Sequence, residues 1–155
     1  MSHPGKAEIQ EINETIARLF AAISFKEGSE PNMPEIKELF INEGLLIDHN
    51  ELSPKIFGVE AFIDHFQNLY EQGIITGLED REVHHKTKVY DQVAHRYSFY
   101  EARKAPEEAP FAVGINSIQL IKVGTSWKVS SMAWNDDTRG DGFFQRTMDC
   151  VKENQ

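Results

Sequence analysis

Four side chains in this sequence have the types that acid/base chemistry needs: His85, Asp48, Arg96 and Tyr100. An imidazole titrates near neutral pH and a carboxylate accepts protons, so His85 or Asp48 could move a proton. Arg96 and Tyr100 could stabilise the negative charge that develops when the proton moves. These four are our candidate catalytic residues. A structural interpretation stays open for two of them, with His85 hydrogen-bonded inside a core and Arg96 paired with Asp48 or a helix glutamate.

Other familiar kinds of site are not favoured by the sequence. His84 and His85 are neighbours on a predicted strand, so they point to opposite faces and cannot chelate one metal ion together. The serines have no visible His-Asp relay, and the patterns GxSxG, GxGxxG and GxxxxGKS are absent. Cys150 is the single cysteine and lies near a polar terminus. We therefore predict no metal and no cofactor.

Polar and aromatic side chains on the predicted strands are candidates for lining a ligand pocket. Asn116 interrupts an otherwise apolar strand, and a polar side chain at such a position either faces solvent or needs a partner. Trp134 could form an aromatic wall, although such residues also serve as ordinary core. The predicted ligand-binding residues are Ser98, Asn116, Ser131 and Trp134.

The composition restricts the class of protein and its partners. A chain of 155 residues with 40% hydrophobic residues is the size of one domain. It carries 16 basic and 25 acidic residues, a net charge of −9, which disfavours binding to nucleic acid or to an anionic membrane. The first residues, MSHPGKAEIQE, become charged too early for a signal peptide. We expect a cytoplasmic protein.

The elements that would position these residues begin with three helices. Between Ala7 and Phe25, apolar residues recur every three or four positions, which is typical of an amphipathic helix. Pro34 opens a second helix, PEIKELFINE, which we expect Gly44 to end, and residues 45–47 form a short strand. A third helix is predicted over 59–72, with Gly73 after it.

Four consecutive strands are predicted between Arg81 and Asn135. Asp91-Gln92 is typical of a two-residue hairpin loop, which would pair Tyr90 with Val93. This register places His85, with Val83, Thr87 and Val89, on the face that carries Ala94, Arg96, Ser98 and Tyr100. A loop of three residues would shift the pairing by one position, so that one of the two strands would present its side chains on the opposite faces. Residues 137–155 are expected to form a polar tail that Phe143 and Phe144 attach to the body.

The order of these elements is α+β, and three stretches carry a family resemblance. AAISFKEGSEPNMPEIKELF, VYDQVAHRYSFYEAR and GINSIQLIKVGTSWKVSSMAWND resemble the nuclear-transport-factor-2-like superfamily, also called SnoaL-like or ketosteroid-isomerase-like, and within it an uncharacterised bacterial branch. The resemblance spans about residues 7–136. It implies a cystatin-like α+β roll: a cone in which a strongly bent, mixed or antiparallel sheet wraps around three N-terminal helices and leaves a pocket.

Catalytic members of this superfamily include isomerases, dehydratases and epoxide hydrolases, and their site patterns do not map cleanly onto this chain. The resemblance therefore leaves two functions open. One is a cofactor-free acid/base enzyme that binds a small, largely apolar metabolite. The other is a non-catalytic dimeric module that binds a ligand or serves as a scaffold.

The second face of the predicted sheet favours self-association. His95, Tyr97 and Phe99 would form a row of rings on the side away from the helices, and such a row is seldom left in water. We expect this row to form the interface of a homodimer, which the resemblance also implies.

Overall fold

A computed structural model gives the fold, and it describes residues 5–154. The first helix, α1, is Lys6–Ile23, and its stripe of Ile12, Ile16 and Leu19 is at most 4% exposed. The apolar periodicity of the sequence therefore identified α1 correctly.

No helix among the described residues is long and apolar enough to cross a membrane.

The second helix, α2, is Met33–Leu39 and is shorter than the sequence predicts. The Asn32 side chain caps it by accepting a hydrogen bond from the backbone N–H of Glu35 at 3.3 Å. The chain then leaves the helix at Phe40, and β1 is Phe40–Asp48, so the predicted helix over residues 40–43 is wrong. Pairing with another strand overrides the local helical pattern there.

Gly44 has a different role from the helix stop that we predicted. It lies inside β1, where the pairing register shifts between Phe40 and Leu45. A Cβ at Gly44 would be 3.0 Å from the Ile41 carbonyl oxygen and 3.0 Å from the Phe40 ring. Glycine is thus the residue that lets the strand bulge at this point.

A short strand that the sequence did not reveal, β2, is Lys55–Gly58, and it leads directly into α3, Val59–Glu71. The third helix agrees with the prediction. Gly73 follows it with a φ of +71°, a conformation that glycine adopts without strain.

Four long strands complete the sheet: β3 is Glu79–Tyr90, β4 is Val93–Arg103, β5 is Ala112–Val123 and β6 is Ser126–Asp136. The order across the sheet is β2-β1-β6-β5-β4-β3. Strands β1 and β6 are parallel and the other pairs are antiparallel. The fold is α+β with a mixed, open sheet whose inner face packs against the helices.

The hairpin register near the Asp91-Gln92 turn is as predicted, because Tyr90 pairs with Val93 and His85 with Ser98. The predicted register holds as far as His84, which pairs with Phe99, and is wrong for the residues of β3 that precede it. The register shifts between Glu82 and His84, so Glu82 rather than Val83 lies opposite Tyr100. A β-bulge of this kind moves every residue before it to the other face of the strand. Glu82 and Asp80 consequently share the inner face.

The C-terminal segment is not merely a polar tail. It contains a fourth helix, α4, Phe143–Glu153, with Met148 buried. The Phe144 ring meets the Phe99 ring edge-on, with 5.8 Å between their centroids. Helix α4 therefore lies on the outer face of the sheet, where it covers Phe99.

Candidate functional site

An apolar cavity of about 240 Å³ lies between the inner face of the sheet and helices α1 and α3. Aliphatic and aromatic side chains make most of its wall. A small cluster of polar side chains interrupts that wall at one end, and strands β1, β3, β4 and β6 contribute these side chains. The residues that line the cavity are Leu19, Phe20, Ile23, Ile36, Leu46, Asp48, Phe57, Phe62, His65, Phe66, Leu69, Leu78, Asp80, Tyr100, Ala102, Phe111, Ala112, Asn116, Met132, Trp134 and Asp136.

Within this polar cluster, the Tyr100 hydroxyl donates a hydrogen bond to Asp136 Oδ1. Strand register explains how residues on β4 and β6 meet across β5. Gly114 on β5 pairs with Tyr100 on one side and with Asp136 on the other. The Tyr100 side chain therefore passes over Gly114 to reach the carboxylate two strands away.

Gly114 is the residue that makes this crossing possible. A Cβ at this position would be 2.7 Å from Cζ of the Tyr100 ring and would also overlap the Asn135 carbonyl oxygen. Both contacts are far inside van der Waals distance. Glycine thus leaves the space that the phenol occupies, and the Tyr100–Asp136 hydrogen bond depends on it.

Asp80 is a second carboxylate at this end of the cavity. The residue as a whole is half-buried, but its Oδ1 is enclosed and has no hydrogen-bond partner among residues 5–154. Burial, and next the charge of Asp136, raise the pKa of Asp80 to about 7, against a smaller opposing effect of the Arg81 backbone N–H. Asp80 can therefore hold or release a proton at neutral pH.

The phenol of Tyr100 is held in its protonated form. Burial raises its pKa most, followed by the hydrogen bond to Asp136 and by the charges of Asp136, Asp80 and Asp48. All three carboxylates thus lie close enough to act on one hydroxyl group. Its proton is donated to Asp136, so the Tyr100 oxygen offers only lone pairs to anything else in the cavity.

The third carboxylate, Asp48, lies at the end of β1, where a short loop leads on to β2. Asp48 Oδ1 accepts a hydrogen bond from the Asn50 backbone N–H at 3.0 Å. The Asn50 side chain in turn accepts one from the Asp136 backbone N–H at 2.6 Å. These two bonds hold Asp48 and Asp136 at the same edge of the cavity.

Some of the aromatic side chains that line the cavity lie near the protein surface. The His65 ring stacks on the Phe57 ring with 4.9 Å between centroids. Phe111, from the loop before β5, lines the cavity although it is 59% exposed. The cavity wall therefore includes apolar surface that is in contact with solvent.

The predicted site residues divide into two groups in the structure. Asp48, Tyr100, Asn116 and Trp134 line the cavity. His85, Arg96, Ser98 and Ser131 do not belong to its wall. Met132 and Trp134 face the cavity, so the alternation of side chains along β6 turns Ser131 to the outer face.

Arg96 and Ser98 belong to a separate buried network. Arg96 is 2% exposed, and its guanidinium contacts both carboxylate oxygens of Glu82, with Nε at 3.1 Å. It also donates to Asn13 Oδ1 at 2.6 Å and to Thr87 Oγ1 at 3.2 Å. Ser98 donates to the same Glu82 at 2.5 Å. Arg96 thus has a structural pairing, but its partner is Glu82 from β3 and not Asp48 or a helix glutamate, as the sequence suggested.

His85 lies beside this network rather than beside the cavity. Burial, and next the positive charge of Arg96, lower the pKa of its imidazole. The ring is therefore kept in its neutral form at neutral pH.

Known structures identify the architecture. No protein-family model matches the sequence, and no curated protein sequence is significantly similar to it. A protein of unknown function with a cystatin-like fold from Nostoc punctiforme superposes with a TM-score of 0.69 at 13% identity, over 86% of this chain and 93% of the other. A nuclear-transport-factor-2-like protein of unknown function from Silicibacter pomeroyi gives 0.63 at 12% identity, over 86% and 99%.

This chain has the nuclear-transport-factor-2-like fold. A proposed scytalone dehydratase from Novosphingobium aromaticivorans shares the fold as well, with a TM-score of 0.62 at 14% identity over 85% of each chain. Identities this low relate the folds and not the activities, because one fold carries many functions. Function has to be argued from the side chains of the cavity.

Sequence reasoning missed two residues of the site in this nuclear-transport-factor-2-like fold, Asp80 and Asp136. Asp80 precedes the bulge at Val83, so the regular register extrapolated from the hairpin would turn it outward. Asp136 follows Trp134 by two positions on β6, and a side chain two positions from a pocket residue faces the same way. That alternation was the signal that could have revealed Asp136.

Proposed function

We propose that the cavity binds a small, largely apolar molecule and that Asp80 exchanges a proton with it, without a cofactor. The observation that carries this proposal is a carboxylate with a pKa of about 7 in the wall of an otherwise apolar cavity. A group that titrates near the working pH is populated both as acid and as base, which favours general acid/base catalysis.

The neighbouring side chains support this role. The Tyr100–Asp136 hydrogen bond fixes a phenol at the same end of the cavity as Asp80. Asp80 becomes a hydrogen-bond donor once it has taken up a proton, and a protonated carboxyl group in an apolar site can stabilise an enolate. The apolar wall would hold the body of the molecule and strengthen each of these electrostatic interactions by excluding water.

Binding is tested first, with the neutral probe naphthalen-2-ylmethanol and isothermal titration calorimetry. Ala112 lines the cavity, so Ala112→Phe should fill it and abolish binding. The control is the same substitution at Ala61, an exposed position on α3, which should leave the affinity unchanged. Equal binding by both variants would contradict the proposed site.

Proton transfer is tested with α-tetralone, a small apolar ketone, in D₂O. The Asp80 carboxylate would remove a proton from the carbon next to the carbonyl, and the enolate would then take up a deuteron from solvent. Exchange followed by NMR should be at least about tenfold slower in Asp80→Asn than in the unaltered protein. Binding without Asp80-dependent exchange would favour the non-catalytic ligand-binding function instead.

A further inference from the structure

Asn116 is a polar residue of the cavity wall whose side chain has no hydrogen-bond partner in the described part of the chain. The residue is 3% exposed and lines the cavity. No hydrogen bond joins its amide oxygen or its amide nitrogen to any other group among residues 5–154. Neither atom is wholly enclosed, in contrast to Asp80 Oδ1, so both are open to the cavity. Asn116 therefore presents a donor and an acceptor that a bound molecule can reach.

The strand register explains why Asn116 finds no partner in the sheet. On β5 it lies between Ser98 of β4 and Trp134 of β6. The Ser98 hydroxyl is fully buried and is already committed to the carboxylate of the separate buried network. The inner positions on either side of Asn116 along β5 are Gly114 and Ile118, and neither has a polar side chain. The sheet thus surrounds the amide without pairing it.

An unpaired amide at this depth is itself evidence for a ligand. A buried polar group without a partner costs free energy, because it has lost its hydrogen bonds to bulk water. Pockets that bind organic molecules are mostly apolar and carry a few polar groups that fix the orientation of the ligand. Asn116 is such a group, since Trp134, Phe62 and Phe66 line the same cavity. A ligand that pairs with the amide would remove the cost.

A carboxamide group on a ligand matches both atoms of the Asn116 side chain at once. Its carbonyl oxygen accepts a hydrogen bond from Nδ2, and its N–H donates one to Oδ1. A ketone can use only the donor, and a hydrocarbon can use neither atom. A carboxylate on the ligand is disfavoured, because the carboxylates of Asp48 and Asp136 line the same cavity.

We propose that the ligand of this cavity is a neutral amide with an apolar body, such as a lactam, and that Asn116 binds its amide group through a pair of hydrogen bonds. The inference rests on the proposed function, since it names the class of molecule that the same cavity binds. Asn116 selects and orients the ligand, whereas the proton exchange is assigned to Asp80.

Three neutral probes with one bicyclic body test the inference by isothermal titration calorimetry. Dihydrocarbostyril is a lactam with both groups, β-tetralone has only the carbonyl, and tetralin has neither. A polar group loses its hydration on entering a cavity, so tetralin would bind most tightly if the protein did not pair with the amide. We expect the lactam to bind at least about tenfold more tightly than tetralin, with the ketone between them.

The preference for the lactam should depend on Asn116. Asn116→Leu keeps a side chain of similar size but makes no hydrogen bond, so tetralin should then bind more tightly than the lactam. Asn68→Leu, at an exposed position on α3 outside the cavity wall, is the matched control and should preserve the lactam preference. Circular dichroism checks that each variant is folded.

A second measurement uses the unaltered protein. The ¹H and ¹⁵N signals of the Asn116 side-chain NH₂ group, assigned through the bonds to its backbone, report directly on a new hydrogen bond. We expect saturating dihydrocarbostyril to move the proton signals downfield and tetralin to leave them nearly unchanged.

The outcomes separate this inference from the proposed function. Tetralin binding as tight as that of the lactam, a lactam preference that survives Asn116→Leu, or NH₂ signals that do not respond to the lactam would overturn the amide inference. Each of these results would leave the apolar site standing. If none of the three probes binds, both proposals fail together.

Discussion

Asp80 links the chemistry of the cavity to the stability of the fold. An aspartate in an unfolded chain ionises near pH 4, whereas Asp80 in the folded protein has a pKa of about 7. Between these values the folded state keeps a proton that the unfolded chain has lost. The contribution of Asp80 to the free energy of unfolding therefore decreases as the pH rises from 4 to 7 and is constant above that range. Three pH units correspond to at most about 4 kcal/mol.

Asp80→Asn should remove this pH-dependent loss of unfolding free energy, because an amide does not ionise. We expect the variant and the unaltered protein to have similar unfolding free energies at pH 4. At pH 8 the variant should be more stable by up to about 4 kcal/mol. Urea unfolding at both pH values measures the difference, with Asp64→Asn as the exposed control. A difference that does not change with pH would show that Asp80 ionises normally.

At the level of residues, the sequence predicted part of the cavity wall. Asp48, Tyr100, Asn116 and Trp134 could be chosen because their types are unusual in strands or suited to a pocket, and all four line the cavity. Asp80 could not be chosen, because its direction depends on a bulge that no local pattern announces. His85 and Arg96 had suitable types, but only the fold shows that Glu82 occupies the space beside Arg96.

At the level of elements, strand β5 positions the site through Gly114. Gly114→Ala should push the Tyr100 ring away from Asp136 and cost about 1–3 kcal/mol, as other overpacked positions do. Gly58→Ala is the control, because a Cβ at Gly58 would meet nothing within 4 Å and its φ of −70° suits alanine. Denaturant unfolding measures both. Equal stability of the two variants would show that the crossing over Gly114 is not constrained.

The bulge in β3 places Glu82 beside Arg96, whose guanidinium joins β4 to β3 through this ion pair and to α1 through its hydrogen bond to Asn13. Glu82→Ala would leave the Arg96 guanidinium buried without its counter-charge, so we expect a loss of about 3–5 kcal/mol of unfolding free energy. Glu79→Ala removes the partner of Arg81, which is 49% exposed, and should cost at most about 1 kcal/mol. Similar losses from the two variants would contradict the distinction between the buried pair and the surface pair.

Sequence patterns were sufficient to predict some elements and insufficient for others. Helices α1 and α3 bury one continuous apolar stripe each, so their periodicity alone revealed them. The boundary at Phe40 depends on pairing between β1 and β6, which lie far apart in the sequence. The short strand β2 depends on β1 in the same way. Long-range pairing of this kind leaves little local signal.

At the level of the whole molecule, helix α4 covers part of the outer face that a second copy of the chain could otherwise contact. Phe99 is fully buried within one chain by Phe144, whereas His95 is exposed and Tyr97 half-buried. The homodimer stays a prediction, with His95 and Tyr97 as the members of the row that a partner copy could still cover. Light scattering at micromolar concentration should give twice the 17.7 kDa of one chain.

Tyr97→Glu should shift this mass toward the monomer, because a charge at a buried interface is costly. Tyr90→Glu is the matched control, since Tyr90 is 83% exposed at the hairpin end, and it should leave the dimer intact. A monomeric mass for the unaltered protein would refute the dimer without affecting the cavity.

The proposed function depends on one property, a carboxyl group that titrates near neutral pH inside an apolar cavity. The most direct measurement is the ¹³C chemical shift of the Asp80 carboxyl carbon, assigned by its absence in Asp80→Asn and followed from pH 4 to pH 9. We predict a titration midpoint at about pH 7. A midpoint near pH 4 would mean that Asp80 is an ordinary ionised aspartate, and the proposed acid/base chemistry would be wrong.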